Sequence, residues 1–179
     1  MIRYIKGDLF SHKPRNSAIS ILAHACNCQG SWGAGVAKIF QKKFPSTYDV
    51  HTNYCKQHST RGSQSPLLGT TQLIPSSVSD PGTNGGEDNF YVACLFTSDF
   101  AGAKKLEPLD IVHYTDLAML DISKQLVELS KSKEIETEDG KFVINMPKIN
   151  AGLFNVPWEA TEAVLKKYDR LHINVYVID

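Results

Sequence analysis

Two stretches with the same pattern constrain how this chain can fold. In each, a short apolar run leads into a loop of small and polar residues, and an amphipathic helix pattern follows the loop. The first stretch covers residues 18–44 and the second covers residues 142–168. Units of strand, loop and helix predict an α/β fold with a largely parallel sheet covered on both faces. Open α/β sheets bind ligands outside the carboxyl ends of their strands, so the two loops should face a common cleft.

The first loop, residues 24–37, contains three glycines before its helix pattern begins. Glycines allow a tight turn, and the first turn of a helix offers unpaired N–H groups that suit a phosphate. The order G-x-x-G-x-G is not the dinucleotide fingerprint, and no Lys-Ser or Lys-Thr follows, which excludes a P-loop. Glycine content alone fits a ligand-free turn equally well. The second loop, residues 147–157, favours a ligand, because two phosphate-sized loops suggest a diphosphate or a sugar phosphate.

Length and composition predict one domain over residues 1–179. The 19 Lys and Arg residues balance the 19 Asp and Glu residues, which argues against a general nucleic-acid binder. No apolar run is long enough for a membrane span, and no signal peptide opens the chain. We therefore expect no membrane partner, a monomer, and a cytoplasmic location, with the nucleus as a second location.

The chain has four cysteines, which we expect to be reduced thiols: Cys26, Cys28, Cys55 and Cys94. The Cys26-x-Cys28 pair could begin a metal site, but no C-x-x-C pair or pair of histidines at ligand spacing completes it. We therefore expect no metal and no cofactor. A catalytic cysteine is a further alternative, and packing beside the cleft is the interpretation that we favour.

Along the chain, the spacing of apolar residues predicts six strands, a long helix and a long loop. The loop covers residues 76–89, is rich in serine and glycine, and is expected to be flexible; whether it closes over the cleft is left open. The strands are expected at Met1–Ile5, Ala18–Ala23, Thr70–Ile74, Phe90–Phe96, Phe142–Met146 and Leu171–Ile178. The first helix is expected at Gly33–Phe44, a second helix after Pro45, and the long helix at Pro108–Ser130.

Three segments, residues 4–10, 24–37 and 146–158, resemble the signature segments of macrodomains, which bind ADP-ribose. This resemblance implies a three-layer α/β/α fold with a mixed, largely parallel central sheet. Within that family, the pattern H-x-C-N-C-x-G-S-W-G-x-G and the run C-L-F-T-S at 94–98 are similar to the fungal branch that acts on ADP-ribose-1″-phosphate. The resemblance therefore implies a phosphatase that yields ADP-ribose and phosphate, in the metabolism of a tRNA-splicing by-product.

The resemblance also implies which residues bind the ligand. Asp8 would accept a hydrogen bond from the adenine amino group, and Asn27 would meet the distal ribose, since its amide both donates and accepts. Phe154 would pack against that sugar, with core packing as the alternative. The full predicted substrate-binding set is Gly7, Asp8, Leu9, Ala25, Cys26, Asn27, Trp32, Gly33, Ala34, Gly35, Val36, Ala37, Ile149, Asn150, Ala151, Gly152, Leu153, Phe154 and Asn155.

The predicted catalytic residues are His24 and Asn27. His24 follows an apolar strand, so it is expected at the mouth of the cleft as base, nucleophile or acid; a hydrogen-bonded histidine that closes the strand is the alternative. Asn27 and the backbone amides of 31–35 would stabilise developing charge. Asp99 could orient a base or repel the substrate phosphate, and the sequence does not decide between these roles.

Two alternative functions stay open at the sequence level. One is a hydrolase that releases ADP-ribose from modified protein. The related branch has a catalytic lysine where this chain has Ser98 and an aspartate where it has Phe154, and both departures count against that chemistry. The other is a non-catalytic module that binds ADP-ribose.

Overall fold

A computed structural model of the chain describes residues 1–58, 65–99 and 106–178. Among the described helices, none combines the length and the apolar character needed to cross a membrane. The strands are β1 (Ile2–Lys6), β2 (Ser20–Asn27), β3 (Thr71–Pro75), β4 (Phe90–Ser98), β5 (Thr137–Glu138), β6 (Lys141–Met146) and β7 (Leu171–Val177), and the α-helices are α1 (Gly35–Lys43), α2 (Pro45–Gln57), α3 (Pro108–Leu129) and α4 (Trp158–Leu165).

The described strands form one sheet in the order β1-β7-β6-β2-β4-β3, and β5 pairs with β6. The pairs β1–β7, β7–β6, β6–β2 and β2–β4 are parallel, whereas β3–β4 and β5–β6 are antiparallel. The predicted mixed, largely parallel sheet is therefore confirmed. Because the four central pairs are parallel, the carboxyl ends of β1, β7, β6, β2 and β4 all lie at one edge of the sheet.

Side chains of β2 alternate between two apolar layers, as expected for a strand that is buried on both faces. Ile21 and Ala23 join a buried cluster that includes residues of α3 and α4. Leu22 and Cys26 join a second cluster, which includes Phe40 of α1 and other residues of α1 and α2. Helices thus cover both faces of the sheet, and the three-layer α/β/α architecture is confirmed.

Most predicted elements are found within a few residues of their expected ends, and two regions differ from the prediction. The strand predicted at Ala18–Ala23 begins at Ser20 and continues to Asn27, paired with β4 along its length with one shift of register between Cys26 and Asn27. Four residues assigned to the first loop are therefore strand residues. The short strand β5 was not predicted, because a two-residue hairpin arm leaves no periodic signal in a charged segment.

The loop at residues 76–89 packs against the helices at the edge opposite to the carboxyl ends of β2 and β6. Since β3 is antiparallel to β4, this connection meets the first residue of β4 rather than its last. Asp80 is 2% exposed and accepts hydrogen bonds from the backbone N–H groups of Ser77, at 2.8 Å, and Ser46, at 3.0 Å. Gly82 lies against the ring of Phe44. The segment predicted as flexible is packed, and it is not placed to close over a cleft at the other edge.

We predict that Asp80→Ala lowers the free energy of unfolding by about 1–3 kcal/mol, because it leaves half-buried N–H groups of the loop and of α2 without their charged acceptor. Urea denaturation measures the change. The control is Asp49→Ala, which removes an exposed carboxylate from α2 and should leave the stability near that of the wild type. Equal stability of the two variants would contradict the anchoring role of Asp80.

Candidate functional site

A cleft of about 310 Å³ opens at the carboxyl ends of β2 and β6, between the first and second loops. Both loops therefore meet at the sheet edge, as their shared pattern predicts. The cleft is lined by Ala25, Cys26, Asn27, Ser31, Trp32, Gly33, Ala34, Gly35, Val36, Ala37, Pro147, Lys148, Ile149, Asn150, Gly152, Leu153 and Phe154.

The first wall of the cleft is the N-terminus of α1, and no side chain caps it. Ala34 occupies the capping position in an extended conformation, and its methyl group cannot accept a hydrogen bond. The first turn contains no acidic residue. Gly35 has φ of 62°, a left-handed conformation that glycine adopts without strain. The uncapped amides and the helix dipole together provide a binding position for an anion at this wall.

Asn27 lines the cleft and also shapes the first loop. Its Nδ2 donates to the carbonyl oxygen of Ser31 at 3.1 Å, and its Oδ1 accepts from the backbone N–H of Gln29 at 2.9 Å. One N–H of the Asn27 amide is used in the first of these bonds, and an amide nitrogen carries two. The side chain therefore holds the loop in place while it faces the cleft.

The second wall is the loop that follows β6. Its internal turns use the N–H of Ala151, which donates to Lys148, and the N–H of Asn155, which donates to Gly152 at 2.9 Å. Neither Ala151 nor Asn155 lines the cleft, although both were predicted to bind the ligand. Their backbone N–H groups instead stabilise the loop itself. The predicted residues Ile149, Asn150, Gly152, Leu153 and Phe154 do line the cleft.

Lys148 is a cleft residue that the sequence prediction missed. It is exposed and lies at the base of the second loop, where it adds positive charge to the cleft. None of the described residues that line the cleft carries a carboxylate. The cation and the α1 dipole therefore act in the same direction and favour an anionic ligand. The signal was present in the sequence, because a lysine directly follows Met146-Pro147 in the second loop.

Phe154 packs in the core, which was the alternative expected for it, and it also lies at the cleft; its contact with a sugar stays a prediction. It lines the cleft, and its side chain is only 8% exposed because it packs with Ile111 of α3 and Val156. The ring is thus part of a small apolar cluster beneath the second loop, and its exposed fraction faces the cleft.

Gly7, Asp8 and Leu9 lie at the same edge of the sheet, but they do not line the cleft. They follow β1, which is separated from β6 by β7, so they are about 10 Å along the edge from the end of β6. The Asp8 carboxylate is exposed and accepts a hydrogen bond from the N–H of Phe10 at 3.0 Å. Leu9 is buried in the cluster with α1 and α2.

His24 is not at the mouth of the cleft, so that prediction is wrong. The strand β2 continues through this position, and the alternation of side chains turns His24 toward α1, away from solvent. It is 0% exposed, its ring stacks on Phe40 with 4.1 Å between ring centroids, and it meets Trp32 edge-on at 4.8 Å. His24 is therefore a buried residue within the strand that packs between aromatic rings, and not the hydrogen-bonded histidine at the end of the strand that was the alternative.

The four cysteines are buried and unbridged. Burial raises the pKa of Cys28 and of Cys55 to about 12, so both are neutral thiols near pH 7. Ligand atoms of His24, Cys26 and Cys94 lie within 4.8 Å of one another. However, the Cys26 sulfur is 3.6 and 3.7 Å from the two ring nitrogens of His24, so it lies beside the ring rather than along one nitrogen lone pair. This geometry fits packing better than joint coordination of an ion.

Asp99 is buried against the first loop. Its Oδ2 accepts from the backbone N–H of Ser65 at 3.2 Å, its Oδ1 accepts from Gln29 at 3.4 Å, and its carbonyl accepts from the backbone N–H of Cys28 at 3.2 Å. Asp99 follows Ser98, the residue that pairs with Asn27 across the two strands. A carboxylate is thus fixed next to the loop that forms the first wall.

Comparisons with known proteins agree with this geometry. The chain is 62% identical to the ADP-ribose 1″-phosphate phosphatase of Debaryomyces hansenii, over 100% of both chains. It is 47% identical to the phosphatase of the same name from Candida albicans, over 99% of this chain and 100% of that one. The chain belongs to the family of these fungal phosphatases. No family model matches the chain.

Solved structures show that this family member has the macrodomain fold. The macrodomain of Mycobacterium tuberculosis DarG aligns with a TM-score of 0.67 over 98% of this chain and 97% of that one, at 18% identity. Thermosipho africanus DarTG in complex with ADP-ribose aligns with a TM-score of 0.66 over 99% of this chain and 41% of that one, at 15% identity. At such identities the likeness establishes the fold of this macrodomain and nothing finer.

We predict that His24→Ala lowers the free energy of unfolding of this macrodomain by about 2–4 kcal/mol, because it leaves a cavity between Phe40 and Trp32. His24→Phe keeps a stacked ring of similar size and should stay within about 1.5 kcal/mol of the wild type. Urea denaturation of both variants measures the difference. A free energy of unfolding of His24→Ala equal to that of the wild type would show that the ring does not support the packing described.

Proposed function

We propose that this macrodomain removes the 1″-phosphate from ADP-ribose-1″-phosphate and yields ADP-ribose and phosphate. The observation that carries the proposal is the cleft itself, in which an uncapped helix N-terminus faces a second loop that bears Lys148. Such a cleft suits a small ligand with several negative charges. The names of relatives that are up to 62% identical over the full chain support the same substrate.

The proposed ligand extends along the edge of the sheet. The diphosphate binds the amides of 33–37, opposite Gly152 and Leu153 of the second loop. The adenine lies toward β1, where the exposed carboxylate of Asp8 accepts a hydrogen bond from its amino group. The distal ribose and its 1″-phosphate lie by Asn27, whose amide has a second N–H to donate. We propose further that the protein acts as a monomer in the cytoplasm, with the nucleus as a second location.

The proposed chemistry is attack of water on phosphorus. The bond from phosphorus to the 1″-oxygen breaks, and the departing sugar oxygen takes up the proton that the attacking water loses. Asn27 and the amides of the first loop stabilise the charge that develops on the phosphate oxygens. None of the described residues that line the cleft carries a carboxylate, so we assign the base for the attacking water to Asp99, the buried carboxylate that is fixed against the first loop next to the strand pair that ends at Asn27.

Our proposal for His24 is a supporting role rather than contact with the substrate. The buried ring contacts Cys26 and Trp32, which both line the cleft. His24→Phe should therefore keep both ADP-ribose binding and turnover, whereas His24→Ala should weaken both together with stability. A loss of turnover in His24→Phe, with stability and binding intact, would assign the imidazole to the chemistry instead.

The proposed activity is tested by phosphate release from ADP-ribose-1″-phosphate, with and without EDTA, beside calorimetric titration with ADP-ribose. We expect release that persists in EDTA, since the proposed mechanism uses only side chains and amides of the chain. Binding of ADP-ribose without phosphate release would contradict the phosphatase and support a binding module. Release of ADP-ribose from protein modified on glutamate, without phosphatase activity, would support the protein hydrolase.

We predict that Asp99→Asn lowers kcat for phosphate release by about 100-fold or more, because an amide cannot accept the proton of the attacking water. The amide oxygen can still accept from Ser65 or Gln29, so the dissociation constant for ADP-ribose should change by less than about threefold. Steady-state kinetics and calorimetry measure the two quantities. Asp49→Asn, an exposed change on α2, is the matched control.

Wild-type turnover in Asp99→Asn would remove Asp99 from the proposed mechanism. Loss of ADP-ribose binding in that variant would instead show that Asp99 shapes the first loop.

A further inference from the structure

Asn150 joins the second loop to three other elements through one buried side chain. It is 5% exposed. Its Oδ1 accepts from the hydroxyl of Thr97 on β4 at 2.9 Å, and its Nδ2 donates to the hydroxyls of Thr115 on α3, at 2.9 Å, and Thr161 on α4, at 3.3 Å. All three threonines are 0% exposed. The amide thus uses both of its N–H groups and its oxygen within the protein.

The directions of these hydrogen bonds require an amide at this position. The hydroxyl proton of Thr115 is donated to the carbonyl oxygen of Ile111 at 2.7 Å, so this hydroxyl must accept from Asn150. At the same time, Thr97 donates to Asn150. A carboxamide accepts on one side and donates on the other, whereas a carboxylate of the same shape could not donate to Thr115 or Thr161.

Backbone conformation alone does not explain this network. Asn150 has φ of 66°, in the left-handed region, where asparagine is tolerated and glycine is unstrained. Glycine would therefore satisfy the backbone at lower steric cost, but it would make none of the three side-chain hydrogen bonds. The side chain and the backbone of Asn150 can be separated by experiment for this reason.

Thr97 connects the network to the first loop. In the pairing of β2 with β4, Cys26 lies opposite Phe96 and Asn27 lies opposite Ser98, so Thr97 is an extra residue that forms a β-bulge. Bulges redirect a side chain, and here the redirected hydroxyl meets Asn150. The second loop is therefore attached to the irregularity that directly precedes the partner of Asn27.

We propose that Asn150 is a positioning residue that fixes the two walls of the cleft relative to each other, through its hydrogen bond with the bulge residue Thr97. This inference rests on the proposed function in one respect, because ADP-ribose is taken as the ligand. Asn150 itself lines the cleft, and so does Asn27 on the opposite wall. Loss of the side chain should therefore widen or loosen the cleft without unfolding the protein.

The test compares four single variants and one double variant at 25 °C, after circular dichroism and urea denaturation have established the folded fraction of each. Asn150→Gly keeps the left-handed backbone and removes the amide. Thr97→Val removes the hydroxyl at nearly constant volume, and Thr97→Ser keeps the hydroxyl. The matched control is Asn84→Gly, which makes the same change at an exposed asparagine with φ of 53° in the 76–89 loop.

We expect Asn150→Gly and Thr97→Val each to raise the dissociation constant for ADP-ribose by about tenfold, because a small displacement of binding groups has a large cost. Thr97→Ser and Asn84→Gly should bind like the wild type. The double variant Asn150→Gly with Thr97→Val should bind about as weakly as either single variant, since both remove the same contact. A dissociation constant for folded Asn150→Gly within about twofold of the wild type would overturn the proposal.

A second measurement needs no ligand. Hydrogen exchange of the backbone amides of 149–156 should be faster in Asn150→Gly and Thr97→Val than in the wild type, and unchanged in Asn84→Gly. If the wild type fails to bind ADP-ribose, the proposed function fails, and this measurement still decides on the role of Asn150. Unchanged exchange in both variants would overturn that role.

Discussion

The pairing of β2 with β4 on one side and β6 on the other is the constraint on which the rest of this structure depends. Because both pairs are parallel, the loops that follow these strands must emerge at the same edge of the sheet. The first loop then delivers the N-terminus of α1 to that edge, and the second loop faces it. The cleft is thus a consequence of strand order, and no single side chain creates it.

Three buried polar residues hold the loops around the cleft in place through hydrogen bonds, which apolar side chains cannot make. Asn27 holds the turn of the first loop, Asn150 holds the second, and Asp99 receives N–H groups from two segments. Each of these residues is nine-tenths buried or more, and each has hydrogen-bond partners within the protein. Buried polar groups that are satisfied in this way fix one arrangement, because any displacement leaves a donor or acceptor unpaired.

The fold and most of the residues that line the cleft could be predicted from the sequence. The direction in which individual side chains point could not. Apolar runs and helix spacing predicted the layers, and the two loops were identified by their small residues. His24 was misplaced because a strand end has no sharp signal, and the alternation of Leu22, His24 and Cys26 continued into residues that also read as a loop. The contact between Thr97 and Asn150 joins residues 53 positions apart, so no local pattern could predict it.

The uncapped start of α1 also affects how stable the protein is without its ligand. A helix that begins at Ala34 and Gly35 lacks the capping side chain that is worth about 1 kcal/mol in other helices. An anion bound at this wall would accept the same N–H groups and act as an external cap. Ligand binding and folding would then be coupled: an anion at this wall would raise the melting temperature, and the ligand-free protein lacks the stability that a capping side chain would add.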